Sequence, residues 1–165
     1  FTRPEMFSEG LAGTWKDKVD VFLFLVLGKA DEWPEDVKDL PKDSLLKKLQ
    51  EALKGASLGF KVKVALAEAS KGDAEGDVIV FPGAARFNIQ GGCASLVEAL
   101  QRGPQSAGPV DVEESHVFVC AHAQRDARCG YCGPRLIEAV QATGTTAHVR
   151  KCSHVGGHAY AGNVL

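Results

Sequence analysis

Apolar residues near the start of the chain recur with the periods of a strand and of an amphipathic helix. Residues 19–27 are rich in Val, Phe and Leu and predict a buried strand. Leucines that share one helical face over residues 45–53, with lysines on the other face, predict a helix. Asp43 or Ser44 is positioned to cap this helix and Gly55 to end it.

Three further elements complete the first half of the chain. Alternating apolar positions over residues 60–66 predict a half-buried strand, and residues 76–83 predict another short strand. Residues 95–102 predict a helix that opens with a capping box formed by Ser95 and Glu98. The predicted order of the first half is therefore β-α-β-β-α.

A connector rich in Gly, Pro and Ser at residues 103–109 separates this half from a second one. In the second half we predict a strand from His116, a helix opened by Gly133 and Pro134, and strands over residues 145–152 and 159–165. The helix is expected to turn three apolar side chains inward, namely Leu136, Ile137 and Val140.

The repeated order of elements predicts an α/β fold of tandem thioredoxin-like units. Residues 1–103 are expected to form a degenerate thioredoxin-like half without ligands, and residues 110–165 a second half that lacks its C-terminal elements. When the halves are aligned, Phe24 of the first stands where the second has Cys120. Metal or redox chemistry is therefore expected only in the second half.

Composition and charge narrow the classes of function. The chain of 165 residues is 45% hydrophobic and 24% charged, with a formal net charge of −2, which gives no support to nucleic-acid binding. No signal peptide is visible, and the longest apolar run is too short to be a transmembrane segment. The five cysteines crowd near histidines, which favours metal ligation in a reducing intracellular compartment over disulfides. Because the sequence begins with Phe1, we expect a processed or trimmed N-terminus, and a mitochondrial location is favoured over a chloroplast or cytosolic one.

The candidate chemistry is concentrated between residues 120 and 163. Cys120 closes a buried strand and Cys129 follows nine residues later, so a loop can bring both sulfurs to one ion or one iron. His154 and His158 flank a Gly-Gly pair that allows two imidazoles to converge. If the strands that carry them are neighbours, these side chains form one Cys2His2 site. Such a site suits either a closed tetrahedral zinc ion or a 2Fe-2S cluster.

The same region allows other interpretations. Cys129 and Cys132 form a Cys-x-x-Cys pair at a predicted helix, as in thioredoxin-like thiol oxidoreductases. Otherwise Cys132 and Cys152 are interpreted as spare thiols and Cys93 as a core residue. Three further histidines are interpreted as structural: His116, His122 and His148.

Charged residues surround the candidate ligands. Asp126 and Arg128, with Arg125, can fix the ligand loop by a local ion pair, donate to cluster sulfurs or be merely solvated. Arg150 and Lys151 make the region basic, which predicts an acidic redox partner.

Several stretches of the chain resemble a known family. "HVFVCAHAQRDARCGYCGP" and "CSHVGGHAYAGNV" are similar to the sucrase/ferredoxin-like family, particularly its plant and algal members, as are "RPEMFSEGLAGTW", "DEWPEDV" and "GDVIVFPG". The resemblance implies a C-terminal thioredoxin-like ferredoxin domain with a 2Fe-2S cluster bound by two cysteines and two histidines. Carried over to this sequence, these ligands are Cys120, Cys129, His154 and His158. It also implies a further strand and a terminal helix beyond "AGNV".

These expectations together predict an electron-transfer protein with Rieske-like ligation. It would work with a redox donor and acceptor protein, or as a subunit of a larger redox complex, and would not itself catalyse bond chemistry. One alternative is an accessory subunit of a larger assembly with a vestigial or structural metal site. Another is a thiol oxidoreductase that uses Cys129 and Cys132.

Overall fold

The computed structural model describes residues 18–103, 115–157 and 160–165. The strands are β1 (Val21–Val26), β2 (Val62–Ala67), β3 (Asp77–Phe81), β4 (Ala85–Asn88), β5 (His116–Cys120) and β6 (His148–Cys152). The helices are α1 (Leu45–Gly55), α2 (Ala94–Gln101) and α3 (Ala127–Ala142), with a short 3-10 helix at Val37–Asp39. The expected mixture of helices and strands is confirmed. The connector after Gly103 and the opening motif up to residue 17 lie outside the described residues.

These six strands form one mixed sheet in the order β4-β3-β1-β2-β6-β5. β1 is parallel to β2 and β5 is parallel to β6, as expected where a helix connects the two strands of each pair. β3 and β4 continue the sheet antiparallel beyond β1. β2 and β6 meet antiparallel at Ala67 and Cys152, so both halves of the chain share one sheet.

A row of four residues crosses the sheet where the two halves join. Val26 pairs with Ala67, Ala67 with Cys152, and Cys152 with Cys120. Because the join is antiparallel, an approximate two-fold axis between Ala67 and Cys152 relates β1 and β2 to β5 and β6.

This register corrects the alignment of the two halves. Val26, the last residue of β1, holds in its half the position of Cys120, the last residue of β5. The predicted counterpart, Phe24, lies two residues too early and corresponds instead to Phe118. Both strands are nearly continuous apolar runs, so the sequence offers no polar position that marks the register.

Two apolar clusters stabilise the sheet. The larger contains Leu23, Leu46 and Leu100 and packs α1 and α2 on the first half. The smaller joins the halves, because Phe24 of β1 and Phe118 of β5 stack with their ring centroids 3.6 Å apart. Two strands separate β1 from β5 in the sheet. β2 contributes only alanines to this cluster and β6 only Cys152, and these small side chains leave room for the two rings to meet.

Two elements of the first half differ from the prediction. β4 is not predicted: Ala85 and Phe87 alternate with Arg86 and Asn88, but a segment of four residues is too short for this pattern to indicate a strand by itself. The predicted capping box is wrong: α2 begins at Ala94, and its cap residue Cys93 makes no side-chain cap bond. Ser95 therefore lies inside the first turn rather than before it.

The helix of the second half begins earlier than predicted. α3 starts at Ala127, because the Asp126 side chain accepts a hydrogen bond from the main-chain N–H of Arg128 at 2.9 Å and caps the helix. Pro134 lies inside the helix rather than opening it. The three apolar residues expected to point inward are only half-buried, and the buried positions are Cys129 and Gly133.

The last described residues extend the sheet beside β5. Phe118 and Leu165 exchange two main-chain hydrogen bonds of 2.9 Å, and the N–H of Cys120 donates to the carbonyl of Asn163 at 2.8 Å. The strand predicted at the end of the sequence is thus present as a short antiparallel bridge. In the described part of the chain, no helix has the length and apolar character needed to cross a bilayer.

Candidate metal centre

Cys120 is presented at the carboxyl end of β5, as the sequence predicts. Its side chain is fully buried in the smaller apolar cluster, beside Phe118 and Cys152. The loop that follows, residues 121–126, turns directly into α3.

Cys129 lies in the first turn of α3, and its side chain is also fully buried. Its main-chain N–H donates to the carbonyl of Asp126 at 2.9 Å, which fixes the start of the helix. The local ion pair predicted in this loop is confirmed, because Arg128 donates two side-chain hydrogen bonds to Asp126 at 2.8 and 3.0 Å. The side-chain bond from Arg128 also holds the pKa of Asp126 below its usual range.

Two glycines allow α3 to approach the end of β5 closely. A Cβ atom on Gly133 would lie 2.5 Å from the carbonyl oxygen of Cys120 and 2.9 Å from Ala121. A Cβ atom on Gly130 would collide with Ala123. Any other residue at these positions would push the helix outward and separate the two sulfurs. The Gly-x-x-Gly spacing around Cys132 is the sequence signal of this close approach, and it lies outside the residues predicted for the site.

His154 reaches the two sulfurs from the loop that follows β6. Its Nδ1 lies 3.8 Å from the Sγ of Cys129. The donor atoms of Cys120, Cys129 and His154 all lie within 4.8 Å of one another. β5 and β6 are neighbours in the sheet, and this convergence was predicted for the case in which the strands are neighbours. The fourth predicted ligand, His158, lies outside the described residues.

The two cysteines share a hydrogen bond that shifts their pKa values in opposite directions. Cys129 accepts from the Cys120 thiol, and this bond lowers the pKa of Cys129 although burial opposes it. A contact with His154 lowers the pKa of Cys129 further. The same bond, together with burial, raises the pKa of Cys120. The shared bond thus favours negative charge on Cys129 over Cys120, and a metal ion that binds both sulfurs must displace the proton between them.

The other cysteines lie outside this group of three donors. Cys152 is fully buried opposite Cys120, and burial, followed by the charge of Cys129, raises its pKa, so it stays a thiol. Cys132 is half-buried beside Gly162, and Cys93 packs against the larger core. Cys129 and Cys132 are both free cysteines, and the thiol oxidoreductase that would use them stays a prediction.

The remaining histidines make structural contacts. His122 is buried, and burial lowers its pKa. Its Nε2 lies 2.9 Å from the carbonyl oxygen of Pro34. His116 bonds to Arg150 at 2.7 Å and stacks on His148 with ring centroids 5.4 Å apart.

Arg150 is a buried charge rather than the surface charge that the sequence suggests. Its side chain is 0% exposed and donates to both carboxylate oxygens of Asp73, at 2.8 and 3.0 Å. Burial raises the pKa of Asp73, but the bonds from Arg150 and from the main chain of Ser70 outweigh it and keep that pKa low. The prediction that Arg150 guides an acidic partner is therefore wrong. Its neighbour Lys151 forms a partly exposed ion pair with Glu68 at 3.3 Å.

The donor set fits a metal centre. Two buried sulfurs and an imidazole are ligands that zinc and iron-sulfur clusters both accept. A family model described as sucrase/ferredoxin-like matches residues 11–165. The chain belongs to the sucrase/ferredoxin-like family. The family predicted from the motifs is thereby confirmed, whereas its plant or algal type and its ligand set stay predictions.

Curated relatives of this sucrase/ferredoxin-like chain share the name altered inheritance of mitochondria protein 32. The protein of Debaryomyces hansenii is 42% identical over 59 residues, 33% of this chain and 22% of the relative. That of Meyerozyma guilliermondii is 40% identical over 78 residues, 42% of this chain and 28% of the relative. That of Eremothecium gossypii is 36% identical over 82 residues, 45% of this chain and 26% of the relative. The matched region thus spans less than a third of each relative's length. No solved structure matches the chain.

Proposed function

We propose that this chain is an electron-transfer protein whose 2Fe-2S cluster is held by Cys120, Cys129, His154 and His158. The observation that carries the proposal is the convergence of two buried sulfurs and one imidazole within 4.8 Å, from three separate segments of the chain. The ferredoxin part of the family's description supports iron-sulfur chemistry. Such a cluster supplies one-electron transfer when it is bound, and the protein supplies its ligands and surroundings.

The residues around the site suit this role. The main-chain N–H of Gly162 donates a hydrogen bond to the sulfur of Cys129, which favours its negative charge. Cys120 and Cys129 are fully buried, whereas His154 is half-buried and lines a cavity of about 260 Å³ with Lys63, Arg125 and Gly156. His154 is therefore the described ligand through which electrons would enter or leave.

We also propose that the sheet consists of tandem thioredoxin-like units, residues 1–103 and 110–165. Two similarities support this division. Each unit contains a parallel pair of strands, β1 with β2 and β5 with β6. Each also places an antiparallel segment beside its first strand, which is β3 in one unit and the bridge at Val164 in the other. The ligands belong to the second unit, which would be the ferredoxin unit.

A zinc centre is the second candidate, because of the short separation between Cys129 and His154. Metal bonds of about 2.0 to 2.3 Å place two ligands of one tetrahedral zinc ion roughly 3.5 Å apart. The observed separation of 3.8 Å is close to that value. A zinc centre would make the chain a structural or accessory component rather than an electron carrier.

Metal analysis of the anaerobically purified protein distinguishes the two candidates. The cluster predicts iron and acid-labile sulfide at about two of each per chain. It also predicts an electron paramagnetic resonance signal that appears on reduction. Zinc without iron would establish the second candidate and contradict the first.

The name of the relatives refers to mitochondrial inheritance, and on this basis we propose a mitochondrial setting. The partners there would be a redox donor and acceptor, or neighbouring subunits of a redox complex. Subcellular fractionation of cells that express the full-length protein tests the location. Recovery outside the mitochondrial fraction would contradict it.

A further inference from the structure

We infer that His122 is a positioning residue, which holds the His154 ligand loop against the first half of the chain. The inference deepens the proposed function and rests on it, because His154 matters as a ligand of that centre. His122 is not itself a member of the ligand group. It is nevertheless buried, at 1% exposure, and lies two residues beyond Cys120.

Both ring nitrogens of His122 make hydrogen bonds. Nδ1 accepts from the main-chain N–H of His154 at 3.3 Å. Nε2 lies 2.9 Å from the carbonyl oxygen of Pro34, which can only accept. The ring proton must therefore be on Nε2, which leaves Nδ1 to accept from His154. The two bonds together select one tautomer and one ring orientation.

Pro34 is in turn anchored to the end of β1. Its neighbour Trp33 is buried and donates from its indole Nε1 to the carbonyl of Leu27 at 2.7 Å. The Trp33 ring meets His122 edge-on, with centroids 5.7 Å apart and ring planes at 90°. A continuous connection thus runs from β1 through Trp33 and Pro34 to His122, and from there to His154.

His154 depends on this connection because it lies in neither a helix nor a strand. Residues 153–157 have no regular secondary structure. Ser153 is held by its main-chain bond to Leu66 at 2.8 Å, and His154 by its bond to His122. The half without proposed ligands therefore contributes to the site by fixing the backbone of one ligand. Residues that support metal ligands in this indirect way typically change metal affinity about 10- to 100-fold.

Three substitutions of His122 separate its two hydrogen bonds. His122→Asn keeps an acceptor oxygen the same number of bonds from Cα as Nδ1, so the bond from His154 can persist while the bond to Pro34 is lost. His122→Gln keeps a donor at the position of Nε2 and loses the acceptor for His154. His122→Ala removes both bonds. His148→Ala is the matched control, because His148 is a half-buried histidine on β6 outside the site.

The readouts are the rate at which a chelator removes the bound metal, the spectrum of the reduced centre, and hydrogen exchange of the His154 amide. We expect His122→Ala and His122→Gln to release metal at least about 10-fold faster than the wild type and to shift the spectrum. His122→Asn should stay closer to the wild type, and His148→Ala should match it. If His122 served only the overall stability of the protein, the rate of metal release would rise in proportion to each variant's loss of stability. His122→Asn would then release metal as fast as an equally destabilised His122→Gln. That result would overturn the inference.

Two further measurements apply if the wild type binds no metal or if the His122 variants do not fold. If the wild type binds no metal, the proposed function fails, but exchange of the His154 amide in the metal-free protein still decides the inference. Faster exchange in His122→Gln than in His122→Asn supports it, and equal rates contradict it. If the variants do not fold, nitrogen NMR of the wild-type imidazole decides, since a proton on Nδ1 of His122 would exclude the bond from His154.

Discussion

The two parallel strand pairs of the sheet, β1 with β2 and β5 with β6, have the same register but end in different surroundings. Val26 and Cys120 hold equivalent positions in the row that crosses the join. After Val26, a long segment that contains Trp33 intervenes before α1 begins at Leu45. After Cys120, only six residues intervene before α3 begins at Ala127.

The difference shows what a shared backbone needs in order to form a metal site. In the second pair, the short loop and the two glycines of α3 bring the start of the helix against the end of the strand. The first pair instead fills the end of its strand with Trp33, whose indole bonds to Leu27. If the proposed centre is present, the first half supports the site and the second half supplies its ligands.

Replacement of one proposed ligand cysteine should give the largest effect, a loss of bound metal. It tests directly whether the two halves differ in metal binding. We expect Cys129→Ser to lower bound metal at least about 10-fold, because Cys129 is a fully buried sulfur that lies within 4.8 Å of the other two donor atoms. Cys93→Ser in the first half should retain the wild-type metal content. Equal metal contents in the two variants, measured by elemental analysis, would show that the second half holds no special site.

Disruption of the buried ion pair should give the next largest effect. Asp73→Asn removes the carboxylate charge that pairs with the buried Arg150 and, at 2.7 Å, with Arg86, which costs about 3–5 kcal/mol in the free energy of unfolding. The pKa of Asp73 is lowered in the folded protein, so its contribution is fully present above the unfolded value of about 4. It is lost as pH falls through the lower folded value.

Urea unfolding at neutral pH and near pH 3 measures this difference between Asp73→Asn and the wild type, which should be smaller at the lower pH. Lys151→Met is the control, since its partly exposed pair with Glu68 also joins the two halves. It should cost less than about 1 kcal/mol. A difference between Asp73→Asn and the wild type that grew on acidification would contradict the assigned pair.

Glycine substitutions in α3 and in α1, the helices that follow β5 and β1, test whether only the second half needs a close approach of helix and strand. Gly133→Ala should destabilise the protein by about 1–3 kcal/mol and speed metal release, because its Cβ would lie 2.5 Å from the carbonyl of Cys120. Gly55→Ala in α1 meets no atom within 4 Å and should be neutral or stabilise by up to about 1 kcal/mol. Thermal unfolding and chelator release measure both effects. Tolerance of Gly133→Ala would show that close approach of α3 is unnecessary.

Removal of the side chains that cap α1 and α3 should give the smallest changes in the free energy of unfolding. Asp126→Ala and Ser44→Ala each remove a side-chain acceptor at a helix start and should each cost about 1 kcal/mol. Only Asp126→Ala should also change the spectrum of the metal centre, because its helix carries Cys129. A spectral change in Ser44→Ala would contradict this prediction, because it would show that α1 also affects the metal centre.

Local signals in the sequence predict most elements of this fold. α1 follows from its apolar face and from Ser44, and β5 from the run that ends at Cys120. The start of α3 was predictable in principle from Asp126, but Gly133 and Pro134 give a competing signal for a helix start. Pro134 is tolerated inside α3 at the loss of one main-chain donor.

Contacts between distant parts of the sequence were not predictable in the same way. Arg150 looks like a surface charge until Asp73, 77 residues earlier, is known to lie against it. The bond of His122 to Pro34 spans 88 residues and leaves no local pattern. The convergence of Cys120 and Cys129 could be anticipated because the loop between them is short, whereas the backbone support of His154 could not.

β2 and β6 pair antiparallel where the two halves meet, so the strand of each half at this boundary is an interior strand of the sheet. The main-chain N–H of Glu68 donates to the carbonyl of Lys151 at 3.0 Å, and the main-chain N–H of Ser153 donates to the carbonyl of Leu66 at 2.8 Å. If one half were expressed alone, these main-chain N–H and C=O groups would have no hydrogen-bond partner. An unpaired strand edge of this kind pairs with strands of other molecules. A chain cleaved between α2 and β5 should therefore keep its two fragments associated, whereas either fragment made separately should aggregate.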